Sequence, residues 1–219
     1  TFEFNKKEWP AFLLGRGRAE EALAGARTLA GGRWPATRAA GHVYSGHALL
    51  ALNRVAEARV ELAAAERELA ALSPVPIGIS PSRPAVEPYV TGLRAEILLR
   101  DGRRAAARPL FEEVARRARA VHGPDAWIQA LFRLEGMARA AREAGDLELA
   151  EFLARLMLEH DPAYAGAHYA LALAVERRGD RAAAARELAE VERLWRDADP
   201  DLPELVEARQ RLAQLARAR

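Results

Sequence analysis

The sequence contains no cysteine, which excludes disulfide bridges and thiolate metal sites and leaves the redox compartment open. Lysine occurs only at Lys6 and Lys7, so nearly all positive charge is arginine. That charge is almost cancelled, at a formal +2 over 219 residues. No basic field is left for a phosphate backbone, and nucleic-acid binding is not expected. No apolar run approaches the roughly 20 residues of a membrane-spanning helix, so no membrane span is expected. A cationic stretch followed by an apolar one is also lacking after Thr1, and any targeting segment is expected to have been removed or to lie outside the chain. A cytoplasmic setting and export after processing both fit. What is present is a half-apolar composition, enough for one large domain or an elongated array of small units and too much for a disordered chain.

A helix-breaking Gly or Asn with an Ala five residues later recurs five times: Gly17 with Ala22, Asn53 with Ala58, Gly102 with Ala107, Gly145 with Ala150 and Gly179 with Ala184. The intervals are 36, 49, 43 and 34 residues. Such a recurrence predicts helical hairpins, with the Gly or Asn ending one helix in the left-handed conformation and the following residues starting the next. In Gly145-Asp146 and Gly179-Asp180 the Asp is suited to cap the second helix. Arg178-Gly179-Asp180 is also the tripeptide that adhesive proteins present to receptors. Since Gly-Asp recurs at Gly145-Asp146 without the Arg, the tripeptide reads as a turn, with Arg178 as a cation favourable at a helix C-terminus.

Around these turns the chain resembles the tetratricopeptide family, whose repeat is a helix-turn-helix of about 34 residues. His168, Leu171, Ala172 and Val175, then Ala184 and Leu188, follow its spacing in the last repeat. Leu134, Met137, Ala138, Ala141, Ala150 and Ala154 do so in the one before. Ser45, Gly46, Leu49, Ala58 and Leu62, and Ala95, Leu98, Ala107 and Phe111, carry the two earlier ones. Arg94 departs from the pattern, standing where the family prefers Leu. The small residues Gly46, Ala95, Ala138 and Ala172 are expected to let the first helix of each repeat approach its second. The resemblance implies an all-α fold, a right-handed α/α solenoid. Four tetratricopeptide-like repeats would span 39–198, after a partial first repeat over 11–38. The segment Asp161–Leu205 resembles tetratricopeptide regions of GC-rich bacteria.

The remaining segments are read from composition. "TFEFN" alternates like a short strand, making 1–10 an N-terminal arm that could be extended. It would fold over the array's end, trail from an upstream domain, or dock on a neighbouring subunit through Phe2, Phe4 and Trp9. Pro10 interrupts the expected first helix. Five prolines over 73–88 predict an extended loop, Pro109 is expected to kink its helix, and 199–219 reads as an amphipathic capping helix that Pro203 begins.

No catalytic constellation stands out. His42 and His47 are five apart on one helix, poorly placed for a shared metal. Ser45 lacks a nucleophile-elbow context, and Gly15 and Gly17 lack the rest of a dinucleotide fingerprint. Neither an enzyme nor a cofactor or metal is expected. In the family the first helices line a concave groove. The corresponding stripe here is His47, Tyr89, Glu96, Arg100, Phe132, Glu135, Arg139, Arg142, Tyr169, Glu176 and Arg177. Mixed Tyr, Arg and Glu suit a protein or peptide partner. The Lys and Asn with which chaperone-binding members hold a C-terminal carboxylate are missing from it, so that ligand is not expected. The alternative is a self-assembling subunit, a ring or filament stacked end to end.

Overall fold

The computed structural model describes residues 2–77, 80–123 and 126–217, with side chains from Phe4 onward. Every regular element among them is helical: α1 (Phe2–Asn5), α2 (Glu8–Gly15), α3 (Ala19–Ala30), α4 (Pro35–Ala51), α5 (Val55–Ala70), α6 (Arg83–Arg100), α7 (Arg104–Arg119), α8 (Ala126–Glu143), α9 (Leu147–His160), α10 (Ala165–Arg177), α11 (Arg181–Leu194) and α12 (Pro203–Arg217). The chain divides into two compact units, Thr1–Arg117 and Ala118–Arg219.

The five turn residues share one backbone solution. Gly17, Asn53, Gly102, Gly145 and Gly179 all have positive φ, and among the described residues only Gly123 joins them. At each turn the left-handed residue donates to a carbonyl three residues back, as Gly179 does to Glu176 at 2.9 Å and Asn53 to Leu50 at 3.0 Å. The next residue donates five back: Arg18 to Leu13, Arg54 to Leu49, Arg103 to Leu98, Asp146 to Ala141 and Asp180 to Val175, all within 2.7–3.0 Å. This paired closure satisfies carbonyls that a helix end would otherwise leave without partners. The alanine five residues on is buried every time: Ala22, Ala58, Ala107, Ala150 and Ala184.

The second helix then starts in one of two ways. In unit 2, Asp146 and Asp180 accept from the N–H groups of Leu149 and Ala183, at 3.1 and 2.9 Å. In unit 1, Arg18 and Arg54 make no such cap and instead pair with Glu21 and Glu57 in the first turn. Asp capping stabilises a helix by about 1 kcal/mol.

In unit 1, α2 packs on α3 and α4, and α4 on α3, α5 and α6. Leu13, Leu23, Leu49, Leu93 and Ile97 fill the space between them. Two glycines permit close approach. A Cβ on Gly41 would overlap the backbone of Leu29 and Ala30 in α3. On Gly46 it would meet Leu93 of α6 at 2.5 Å, so Gly46 admits the next first helix, not its own partner α5. In unit 2, α8 packs on α9 and α10, α10 on α9 and α11, and α11 on α12. Leu149, Ala150, Leu153, Ala154 and Met157 form the buried face of α9, each large apolar side chain contributing about 1.5–3 kcal/mol. Leu205, Ala208 and Leu215 do the same on α12.

Three further expectations are corrected. "TFEFN" is not strand-like: Phe2–Asn5 is one helical turn and α2 begins at Glu8. A strand there would need an edge to pair with, whereas the turn satisfies its backbone locally, Lys7 donating to the Phe4 carbonyl. Pro10 does not interrupt α2, because the third helical position has no intrahelical acceptor for an N–H. The proline-rich loop is shorter than 73–88, since α6 begins at Arg83 with Pro84 in its first turn and Pro88 buried inside it. Pro109 lies inside α7 as expected. Arg94, the odd residue of the third repeat, is exposed and pairs with Glu66 of α5 at 2.8 Å.

Candidate functional site

The predicted stripe falls into two groups. Unit 1 holds His47 on α4 with Tyr89, Glu96 and Arg100 on α6. His47 Nδ1 lies 2.7 Å from Glu96, joining the two first helices, and Arg100 stands 4.0 Å from the other oxygen of Glu96. Tyr89 is engaged by the chain's own N-terminal segment. The Phe4 ring meets it edge-on at 6.0 Å, and the Lys7 ammonium sits 5.5 Å from the Tyr89 ring centroid and 4.4 Å from that of Phe4. Lys7 is 2% exposed and is held at 2.6 Å by Glu8. Of the three residues expected to dock on another subunit, Phe4 therefore packs within its own unit, against Ala36, Ala39, Leu72 and Val86. Trp9 is exposed and stacks on Phe12 at 5.5 Å. The side chain of Phe2 lies outside the described residues.

Unit 2 holds the larger group. Phe132, Glu135, Arg139 and Arg142 lie along one face of α8 by helical spacing. Tyr169, Glu176 and Arg177 lie on α10, and α12 adds Glu207 and Arg211, which sequence reasoning had missed. The Tyr169 hydroxyl donates to Glu207 at 2.7 Å, and Arg211 binds Glu176 at 2.5 Å and Glu207 at 2.7 Å. Tyr164, just before α10, donates to Glu135 at 2.6 Å, and Arg177 donates to the Arg142 carbonyl at 2.8 Å. One hydrogen-bonded surface thus runs across α8, α10 and α12, with Phe132 exposed at its edge.

Its electrostatics follow from burial and pairing. Burial pushes the Tyr164 and Tyr169 hydroxyls well above the ordinary phenol range, reinforced by Glu135 and Glu207. Burial raises the Glu207 carboxyl too, but the hydrogen bonds from Tyr169 and Arg211 outweigh it and hold it low. Burial likewise works against the Arg211 cation, and its two glutamates more than offset it. Arg142 is the exception: burial holds its guanidinium below the usual arginine range, opposed by Tyr169 and Glu143, while nearby Arg139 pushes the same way as burial.

The other motifs have roles in the fold. Arg178 pairs with Glu151 of α9, Gly179 adopts φ 93° and Asp180 caps α11, so all three residues of the adhesive tripeptide are engaged in one turn. Ser45 is buried inside α4, its Oγ without a hydrogen-bond partner among the described residues. His42 and His168 each stand eleven residues before their turn residue and each bond, at 2.7 Å, a glutamate eight residues after it, Glu61 and Glu187. That coincidence of register was readable in the sequence and went unused. Among the described residues, no cluster of His, Asp and Glu has the geometry to hold a metal ion. Among the described residues, no helix is long and apolar enough to cross a membrane. No protein-family model matches the chain, and no curated protein emerges as a relative.

Proposed function

We propose that the chain is a non-catalytic scaffold of tetratricopeptide-type repeats that binds a protein or peptide partner on the surface of its first helices. The observation that carries this reading is the joined face of α8, α10 and α12, where Tyr164, Tyr169 and Arg211 are fixed by hydrogen bonds to carboxylates on neighbouring helices. Residues held this way lose little further conformational freedom on binding, and Tyr and Arg anchors carry disproportionate energy at interfaces. The five matching turns support the repeat reading, although His42, Thr91, Leu134 and His168 stand where the family pattern has Trp. Selection from a displayed peptide library tests it. Enriched peptides are expected to lose binding to Tyr169→Ala and Phe132→Ala and to retain it with Val60→Ala, a change on the outer helix α5. Selection that enriches nothing above background, or ligands indifferent to the α8 and α10 changes, would sink it.

A second reading, self-association, is favoured by one observation: Trp9 and Phe12, 59% and 54% exposed, form a stacked aromatic patch on α2. Contiguous aromatic surface of this kind suits a second copy of the chain.

A further inference from the structure

Charges on the α8, α10 and α12 face are unequally satisfied. Glu135 is taken by Tyr164, Glu176 by Arg211, and Glu207 by Tyr169 and Arg211. The half-buried guanidinium of Arg142 has no ion-pair partner among the described residues, while its carbonyl accepts from Gly145 and Arg177. A cation that is partly stripped of water and not paired is costly unless a ligand supplies the counter-charge. The planar guanidinium fits a carboxylate in a two-point grip. The second anchor on the same helix is Phe132, 57% exposed. Ten residues of helix separate it from Arg142, or about 15 Å of rise, the reach of about four or five residues of extended chain.

Resting on the scaffold reading above, we propose that unit 2 recognises an extended segment of a partner protein in which one Asp or Glu side chain pairs with Arg142 and an apolar side chain four or five residues away covers Phe132. The carboxylate is a side chain within the segment, not a chain terminus. The glutamates already engaged on α8, α10 and α12 repel acidic residues elsewhere on the face, so one carboxylate at a fixed spacing is selected over a polyacidic run.

The test uses fluorescently labelled, C-amidated Ala/Ser peptides carrying one Leu and one Glu at separations from about two to about seven residues, bracketing the about 15 Å between the anchors. Each has a Gln counterpart, and one Leu-only peptide has a free C-terminus. Anisotropy titrations of the whole chain are expected to show tightest binding at about four or five residues, with Gln weakening it by about tenfold or more. Arg142→Gln should erase the Glu/Gln difference, Arg142→Lys should keep part of it, and Arg142→Gln should melt no lower than the parent. Equal binding of Glu and Gln peptides overturns the proposal, as does discrimination that survives in Arg142→Gln. A preference for the free C-terminus, or a clear drop in the melting temperature of Arg142→Gln, overturns it as well. Peptides that bind without acidic preference yet are lost in Tyr169→Ala would leave the scaffold reading standing while removing this inference. Binding by no peptide removes both.

Discussion

Gly102 has open space where a side chain would stand, so replacing it tests conformation alone. With φ at 73°, Gly102→Ala is expected to cost about 1–2 kcal/mol, measured by denaturant unfolding. Asn53→Gly, at φ 60°, should lose nothing. Asp180→Ala removes the bond to the Ala183 N–H and should cost about 1 kcal/mol. Tyr164 and Tyr169 make a pH-dependent contribution. Their folded values are raised, so the stability they confer is complete below the ordinary phenol value and is lost as pH rises past it toward the folded values. Melting temperature should therefore fall as pH rises above about 10, and fall less in the double variant Tyr164→Phe, Tyr169→Phe. An equal fall in both proteins would refute the assignment. The turn positions were legible in the sequence because left-handed backbone is a property of a single residue. The bond between Tyr169 and Glu207 was not, since it depends on where α12 settles after an irregular connection.

Small residues set how closely neighbouring helices approach. Gly41 and Gly46 separate two kinds of contact on one helix. Gly41→Ala forces a Cβ into the backbone of α3 and should cost about 1–3 kcal/mol, whereas Gly46→Ala meets only the end of Leu93, which can rotate, and should cost less. Thermal unfolding of the two variants side by side checks the order. The approach of α6 to α4 through Gly46 was misassigned from sequence for a physical reason: repeat spacing identifies which positions are small, not which neighbour they admit. Proline content misled in the same way at the start of α6. Pro84 costs nothing in a first turn, and Pro88 is retained in the helix interior because burial outweighs one missing hydrogen bond. Deleting α12 would strip partners from Tyr169 and Glu176 and uncover apolar surface on α11, so unit 2 is expected to lose stability sharply.

For the whole chain, light scattering after gel filtration over a concentration series separates the two functional readings. Mass constant at about 24.0 kDa removes self-association. Mass that climbs with concentration and returns to that value in Trp9→Ser, Phe12→Ser places the aromatic patch of α2 at the contact. The recurring turn also bears on solution behaviour. Amides in short loops ordinarily exchange their hydrogens with solvent within the local opening time of the loop. Here two successive amides in each of the five recurring turns, such as Gly145 with Asp146 and Gly179 with Asp180, donate back into the preceding helix. A deuterium-exchange map of this protein should therefore carry five short islands of slow exchange in its hairpin loops. The rate at each island would report how often that hairpin opens, giving a built-in gauge of stability along the chain.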